Sequence, residues 1–598
     1  MKTDNHHRSA ARLAPAFALA AAASLTTLPA FGFEFSKGEL QGYLDTTISY
    51  GASWRVEDRC RDCVGKAALD PLIGFRPIEE QVAAPGRFSV NNDSGNLNYD
   101  DGDLITHAVA LTSELSLTYR DFGGFFRFSS FYDFENTGSF LAPRDGAFGD
   151  AREFVGEDTR LLDAFLFYDF SIGNNPGTVR LGRQVVNWGE SAFIQGGINI
   201  VNPVDVSRLR VAGAELRQAF LPVDSLWASL SLTENLSVEA VVQFEFEQID
   251  PDPSGSYFGT NDFGTPGGDF VMLGFGLFPE QTPGLTVPRR FDRSPDESGQ
   301  FGVAFRYYSP ELNDTEFGFY YMRYHSRLPL LSGIAVTDSN ADSARYFVEY
   351  PEDIEMFGLS WNTEIGGWAF AGEISYRDNQ PLQIDDVELL FAALSPLNAA
   401  IPAPADRFIS QLGTVAPGQE IRGWEEHEFT QLQFSLSRVF GSTLGSDQAV
   451  FLAEFGVTQV WDLPSQDVLR YQGPGTDTGG GADLLTGGAL RNPVTQATGF
   501  PDKTSWGYRL LGRLDYNSAF GSAYNLFPQI AFNHDVSGTS PGPGGAFIED
   551  RKSLTLSLGA SYLEKWRGDV GYTRFYGAGL QNLLQDRDFV SASISYAF

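Results

Sequence analysis

Phe589-Val-Ser-Ala-Ser-Ile-Ser-Tyr-Ala-Phe598 closes the chain. In an extended backbone successive side chains point to opposite faces, so Val590, Ala592, Ile594, Tyr596 and Phe598 share one face and serines fill most of the other. The same period of two recurs upstream. Leu554, Leu556, Leu558, Ala560 and Tyr562 alternate with Ser553, Thr555, Ser557, Gly559 and Ser561. Val238, Ala240, Val242, Phe244 and Phe246 alternate with Glu239, Gln243, Glu245 and Glu247, broken only by Val241. One face of each segment is apolar and the other is hydrophilic or charged.

Alternation also suits a soluble sandwich, so the connections must decide. About 18 such segments are predicted, with 16 as the alternative, near 40–57, 103–120, 123–134, 160–170, 176–189, 223–235, 236–250, 300–311, 315–330, 344–365, 367–380, 430–441, 448–462, 505–519, 523–536, 553–566, 567–578 and 589–598. They are joined alternately by tight turns, such as Gly366-Gly367, and by long loops rich in Gly, Pro, Asn and Asp, such as 58–102 and 251–299. This rhythm predicts an all-β, transmembrane antiparallel β-barrel over 33–598, with short periplasmic turns and long external loops. A last strand that stops on an aromatic residue resembles the assembly signal of bacterial outer-membrane barrels, with Tyr596 and Phe598 as its aromatics.

Composition agrees. The chain has 598 residues, 64 of them Gly and 50 Phe, and aromatic residues make up 14%. Mean hydropathy is −0.18, which suits a wall that shows lipid only one face of each strand. The formal charge of −34 excludes nucleic acid as a partner, since like charge repels phosphate. Residues 1–32 read as a cleaved signal peptide: Lys2, Arg8 and Arg12 precede the apolar run from Leu13 to Leu25, and cleavage after Ala30 or Gly32 is expected. The expected location is the outer membrane of a Gram-negative bacterium, in contact with outer-membrane lipid and with the barrel-assembly machinery.

Motifs for chemistry are weak. Cys60 and Cys63 are the only cysteines, and in a loop of an exported chain they are expected to form a disulfide; two thiolates fall short of a zinc site. Gly538-Thr-Ser540-Pro-Gly542 fits a hydrolase pattern, with His534 near it in sequence. Pro541 lacks the N–H an oxyanion hole would take from that position, so no enzyme activity is expected. Asn91 to Asp103 is rich in oxygen ligands but misses the spacing of a calcium loop. No metal or cofactor is expected. Asp385 and Asp386 lead into Val387 to Leu394, which reads as a short helix with acidic residues at its start.

The stretch from Val179 to Glu215 differs from the other connections. A strand carrying Arg180 and Arg183 passes through Asn187, Trp188 and Glu190 into a loop that holds Asn202, Asp205, Arg208, Arg210, Glu215 and Arg217. A loop mixing both charge signs with apolar residues is suited to folding into a barrel, where it needs polar partners on the inner wall. The 190–222 segment is therefore expected to form a lumen constriction. Wall candidates to pair with it are Arg127, Arg180, Glu239, Glu245, Arg306, Glu373, Arg377, Arg509, Arg513 and Asp515.

Gly-Arg-Gln-Val-Val-Asn-Trp-Gly-Glu at 182–190, Asn-Pro-Val-Asp at 202–205 and Asn98-Tyr-Asp-Asp-Gly-Asp103 resemble the bacterial domain-of-unknown-function 1302 family, and the likeness covers most of the mature chain. The Cys60 to Arg87 segment looks like an addition to the usual pattern. The resemblance implies an outer-membrane location and work alongside a second, periplasmic envelope protein and an RND-type transporter, moving hydrophobic compounds or lipids. It brings no established substrate. Two rival expectations stand beside a transport conduit: a closed barrel serving adhesion or assembly, and a barrel hydrolase.

Overall fold

The computed structural model describes residues 32–137, 154–214, 216–280, 282–400, 408–476 and 498–598. The signal segment, Gly32 apart, and Glu215 lie outside them. Among the described residues no helix is long and apolar enough to cross a membrane; the spanning elements are strands. They form a closed barrel of 18 antiparallel strands, each paired with its neighbour in sequence. Closure comes from Phe589–Ala597 pairing with Leu40–Arg55, in the register Ala597↔Thr47 to Phe589↔Arg55.

The wall position of the last strand is shared. Phe33–Lys37 forms a hairpin with Leu40–Leu44, just below the point where the Phe598 N–H donates to the Thr46 carbonyl and the Phe598 carbonyl accepts from the Thr46 N–H, both at 2.9 Å. Phe33–Lys37 and the C-terminal strand thus abut along one strand line. Wall strands run from 8 residues (Leu236–Gln243) to 17 (Trp424–Phe440). The tight turn at Gly366 and Gly367 needs positive φ at both positions, 61° and 80°, which glycine adopts without a Cβ clash.

Outward rows are apolar. Leu166, Leu181, Phe305, Phe319, Phe357, Ile530, Leu556 and Ile594 are all exposed on the free chain, as a lipid-facing belt must be. Aromatic rings gather at the short-turn end: Phe122 stacks on Tyr168 at 4.5 Å, Tyr524 lies 4.7 Å from Tyr562, and Trp566 lies 4.6 Å from Tyr596. Such a girdle seats amphipathic rings at the membrane boundary. Tyr596 also packs on Phe598, at 5.8 Å.

The long loops fold into a cap. Leu330–Ile334 pairs with Arg345–Glu349 and with Glu420–Ile421 in a small separate sheet, against which the helix Asp386–Leu394 packs. Asp385 caps that helix, accepting from the Val387 and Glu388 N–H groups at 3.2 and 3.3 Å. Cys60 and Cys63 are joined by a disulfide beside Gln585. Their loop is tied down by Arg55, which is fully buried and donates to Asn96 Oδ1 (2.9 Å), the Tyr99 carbonyl (2.9 Å) and Asp586 (3.2 Å).

Candidate functional site

The connection 185–222 leaves the wall at Gln184, crosses the lumen and returns at Val223. Its first arm docks on polar side chains that the strands turn inward. Glu373, fully buried on strand Trp368–Gln383, accepts the Glu190 N–H at 2.5 Å and the Ile198 N–H at 2.8 Å, together with Gln433 Nε2 at 2.6 Å. Glu454, on strand Gln448–Val460, accepts three consecutive N–H groups, from Ala192 (2.8 Å), Phe193 (2.7 Å) and Ile194 (2.8 Å). Arg377 donates to the Gly197 carbonyl at 2.7 Å and the Gly196 carbonyl at 3.1 Å. A backbone that has left its sheet needs partners for its N–H and C=O groups, and the inner wall supplies them.

Apolar packing reinforces this arm. Trp188 is 1% exposed, lies 5.8 Å from Tyr320 and donates from Nε1 to Glu239 at 2.9 Å. Its ring occupies the space a Cβ at Gly302 would need, 2.6 Å from Cζ3, so the wall must be bare there. Val186, Ile198 and Val201 join Val241, Met322 and Met356 in one cluster inside the barrel. Arg327, from the neighbouring outer loop, closes over the arm. It donates to the carbonyls of Val201 (2.9 Å), Ile200 (3.2 Å) and Glu247 (2.6 Å) and to Gln243 Oε1 (2.8 Å), and burial pulls its pKa down to about 10.

The second arm lies against the opposite side. Arg217 pairs with Glu114 at 2.6 Å and Gln218 donates to Thr112 at 2.6 Å. Ala212 presses on Gly51: its carbonyl oxygen would sit 1.9 Å from a Cβ there. Asp205, fully buried, lies 3.4 Å from Arg160 and 3.6 Å from Arg208. Arg208 also pairs with Asp158 at 3.0 Å and covers the Phe131 ring, and burial lowers its pKa to about 10. Arg210 reaches Asp252 at 3.7 Å. The junction of the arms is set by Asn202, which accepts the Val186 N–H (2.7 Å) and donates to the carbonyls of Leu221 (2.9 Å) and Gln184 (3.1 Å).

The structure therefore brings Trp188, Glu190, Asn202, Asp205, Arg208 and Arg210 onto one loop spanning the lumen. Asn187 on the same loop is exposed. Arg180 faces inward from the wall, stacked over Trp227 at 4.5 Å. Arg183 is a correction to the sequence expectation. The alternation puts it in the row of Leu181 and Leu226, on the outer face, where it pairs with Glu245 at 2.7 Å and Asp224 at 3.9 Å. Of the wall candidates, Glu239, Glu373 and Arg377 meet the loop. Arg127 is held by Glu114 and Asp163, Arg306 by Glu239 and Glu316, Arg509 by Asp535, and Arg513 by Asp515. Glu454 and Arg327 were not anticipated. Glu454 interrupts Leu452-Ala-Glu-Phe on the inward face, and that isolated charge was the available signal.

Glu190 is a half-buried acid of the first arm. Burial pushes its pKa up to about 7, against the pull of Arg306 and an Asn362 hydrogen bond at 3.2 Å. The hydrolase pattern does not assemble. Ser540 is buried and bonds Ser505 at 2.7 Å, while His534 contacts Tyr508 at 3.2 Å. Among the described residues no three metal-binding side chains cluster, in the Asn91 to Asp103 stretch or elsewhere.

Among solved structures the chain is similar to Pseudomonas aeruginosa OccD3 (OpdP), with 10% identity over 96% of this chain and 95% of that one and a TM-score of 0.37. It is similar also to Acinetobacter baumannii OccAB3, with 10% identity over 93% and 99% and a TM-score of 0.39, and to P. aeruginosa OccK2 (OpdF) in complex with glucuronate, with 9% identity over 93% and 98% and a TM-score of 0.37. No curated protein matches the sequence. The family described as "Protein of unknown function (DUF1302)" matches residues 13–598, nearly the whole chain, and the chain belongs to that family.

Proposed function

We propose that the protein is an outer-membrane transport conduit whose aperture is set by the 185–222 loop. The carrying observation is that one connection is bonded to both sides of the lumen, through Glu373 and Glu454 on one side and Glu114 on the other. A wall of 18 strands is wide enough to hold water unless obstructed, and charged groups at an obstruction select what passes. Removing 190–222 is expected to raise ion conductance in a planar bilayer; unchanged conductance would dispose of the constriction. The chain would leave the cytoplasm through its cleaved 1–32 signal. It would be recognised by the barrel-assembly machinery through Tyr596 and Phe598, and would serve an RND-type transporter and a periplasmic partner in moving hydrophobic compounds or lipids. Liposome swelling with candidate solutes tests the cargo, and co-purification from crosslinked cells tests the partners.

A further inference from the structure

Above the crossing loop, the outer loops enclose a cavity of about 560 Å³. Cavities of roughly 300–1,000 Å³ take drug-sized ligands. The lining comes from seven separate connections of the barrel, so the cavity sits centrally in the cap rather than at one edge. It is dominated by apolar side chains, among them Met272, Phe275, Leu390, Phe391, Leu394 and Phe547. Phe547 also marks its relation to the loop below: a Cβ at Gly456 would meet both Ile194 Cδ1 (2.8 Å) and Phe547 Cζ (3.2 Å).

Two arginines reach this lining, and they differ. Arg551 pairs with Asp535 at 2.7 Å, a carboxylate it shares with Arg509. Arg345 bonds only backbone carbonyls, those of Asp342 and of Ala344 (2.6 Å), and among the described residues no carboxylate pairs with it. A half-buried arginine with no paired carboxylate, lining an apolar space, is complementary to a carboxylate attached to an apolar body; the lining's own carboxylate, Asp386, lies at the start of the cap helix, at the opposite end from Leu394.

We propose that this cavity is a capture site for apolar organic acids, with Arg345 receiving the carboxylate and the Phe391 to Leu394 turn of the cap helix receiving the body. This deepens the conduit reading and rests on it for what capture serves, yet binding is measured without conduction. A chain that binds but does not conduct sinks the conduit alone. A chain that conducts without binding sinks this assignment alone.

The test uses the full chain in lipid nanodiscs, with 2-naphthoate as probe, neutral 2-naphthalenemethanol as its uncharged counterpart and empty nanodiscs as background. Equilibrium dialysis should show one saturable site per chain that favours the acid over the alcohol. Arg345→Gln should weaken the acid about tenfold and leave the alcohol unchanged. Leu390→Trp, which fills the cavity, should weaken both about tenfold, with unheated gel mobility reporting that the barrel is intact. No saturable binding above background, equal binding of acid and alcohol by the parent chain, or binding unmoved by both substitutions overturns the proposal.

Discussion

Replacing Glu454 by Gln should loosen the first arm of the loop without harming the wall. Three N–H groups converge on that carboxylate at 2.7–2.8 Å, two of them on Oε2. An amide keeps one acceptor oxygen and turns a donor toward the remaining N–H groups, so one or two of the three bonds are lost. Hydrogen bonds to a charged group contribute about 1.5–3 kcal/mol each and do not add fully. A loss of about 2–4 kcal/mol follows, and at 1.4 kcal/mol per tenfold the docked arm should be released roughly 30- to 1,000-fold more often. Single-channel recording in a planar bilayer reads this as frequent larger-conductance openings. Limited proteolysis should cut the variant within 190–200, while unheated gel mobility stays that of the parent. Glu373→Gln should act alike, because Glu373 holds Glu190 and Ile198. If both variants keep the parent's conductance and its resistance to cleavage, the wall does not hold the loop as described.

Three further outcomes are expected. The Glu190 carboxyl titrates near 7 when docked, against 4.5 when free; between these values docking binds a proton, so it is strongest below about pH 4.5 and weakens as pH rises to about 7. Larger openings should therefore be more frequent at pH 8 than at pH 5 in the parent, and Glu190→Gln should remove that slope. Arg327→Ala removes four hydrogen bonds, two of them buried and two part-buried, at a cost of about 3 kcal/mol or more, which should appear as rapid proteolysis near Val201. In the cap, Asp385→Ala should cost the helix about 1 kcal/mol through its lost cap. Asp385→Asn should stabilise it, because burial and then Asp386 and Glu388 raise the Asp385 pKa. Protease half-lives of the 384–423 loop order the three chains.

Every wall strand was legible in the sequence, because each must keep one apolar face and the polar face betrays the lumen. Strand ends were not. The fifth wall strand was expected to continue to Gly189 but stops at Gln184. Val185, Val186 and Trp188 are as apolar as a strand requires, yet Val186 bonds Asn202 instead of a neighbouring strand. The 344–365 segment is two elements: Arg345–Glu349 belongs to the cap, and the wall resumes at Ile354 after Asp353 turns the chain at a φ of 62°. The five-residue strand Phe33–Lys37 was missed because it is too short to show a period beside the signal segment. The crossing loop was legible from its mixed charges, and so was its wall partner Glu373, but Glu454, Arg327 and Asp252 were not: they meet it from one strand and two connections far apart in sequence.

The account stands on a wall whose strands present lipid and water to opposite faces. A nitroxide carried in turn at each position from Ser553 to Tyr562, with the chain in lipid, tests this most directly. Collision with oxygen, which concentrates in the bilayer, should peak at 554, 556, 558 and 560, and collision with a water-soluble nickel chelate should peak at 553, 555, 557 and 559. A flat profile, or the same residues favoured by both reagents, would contradict it.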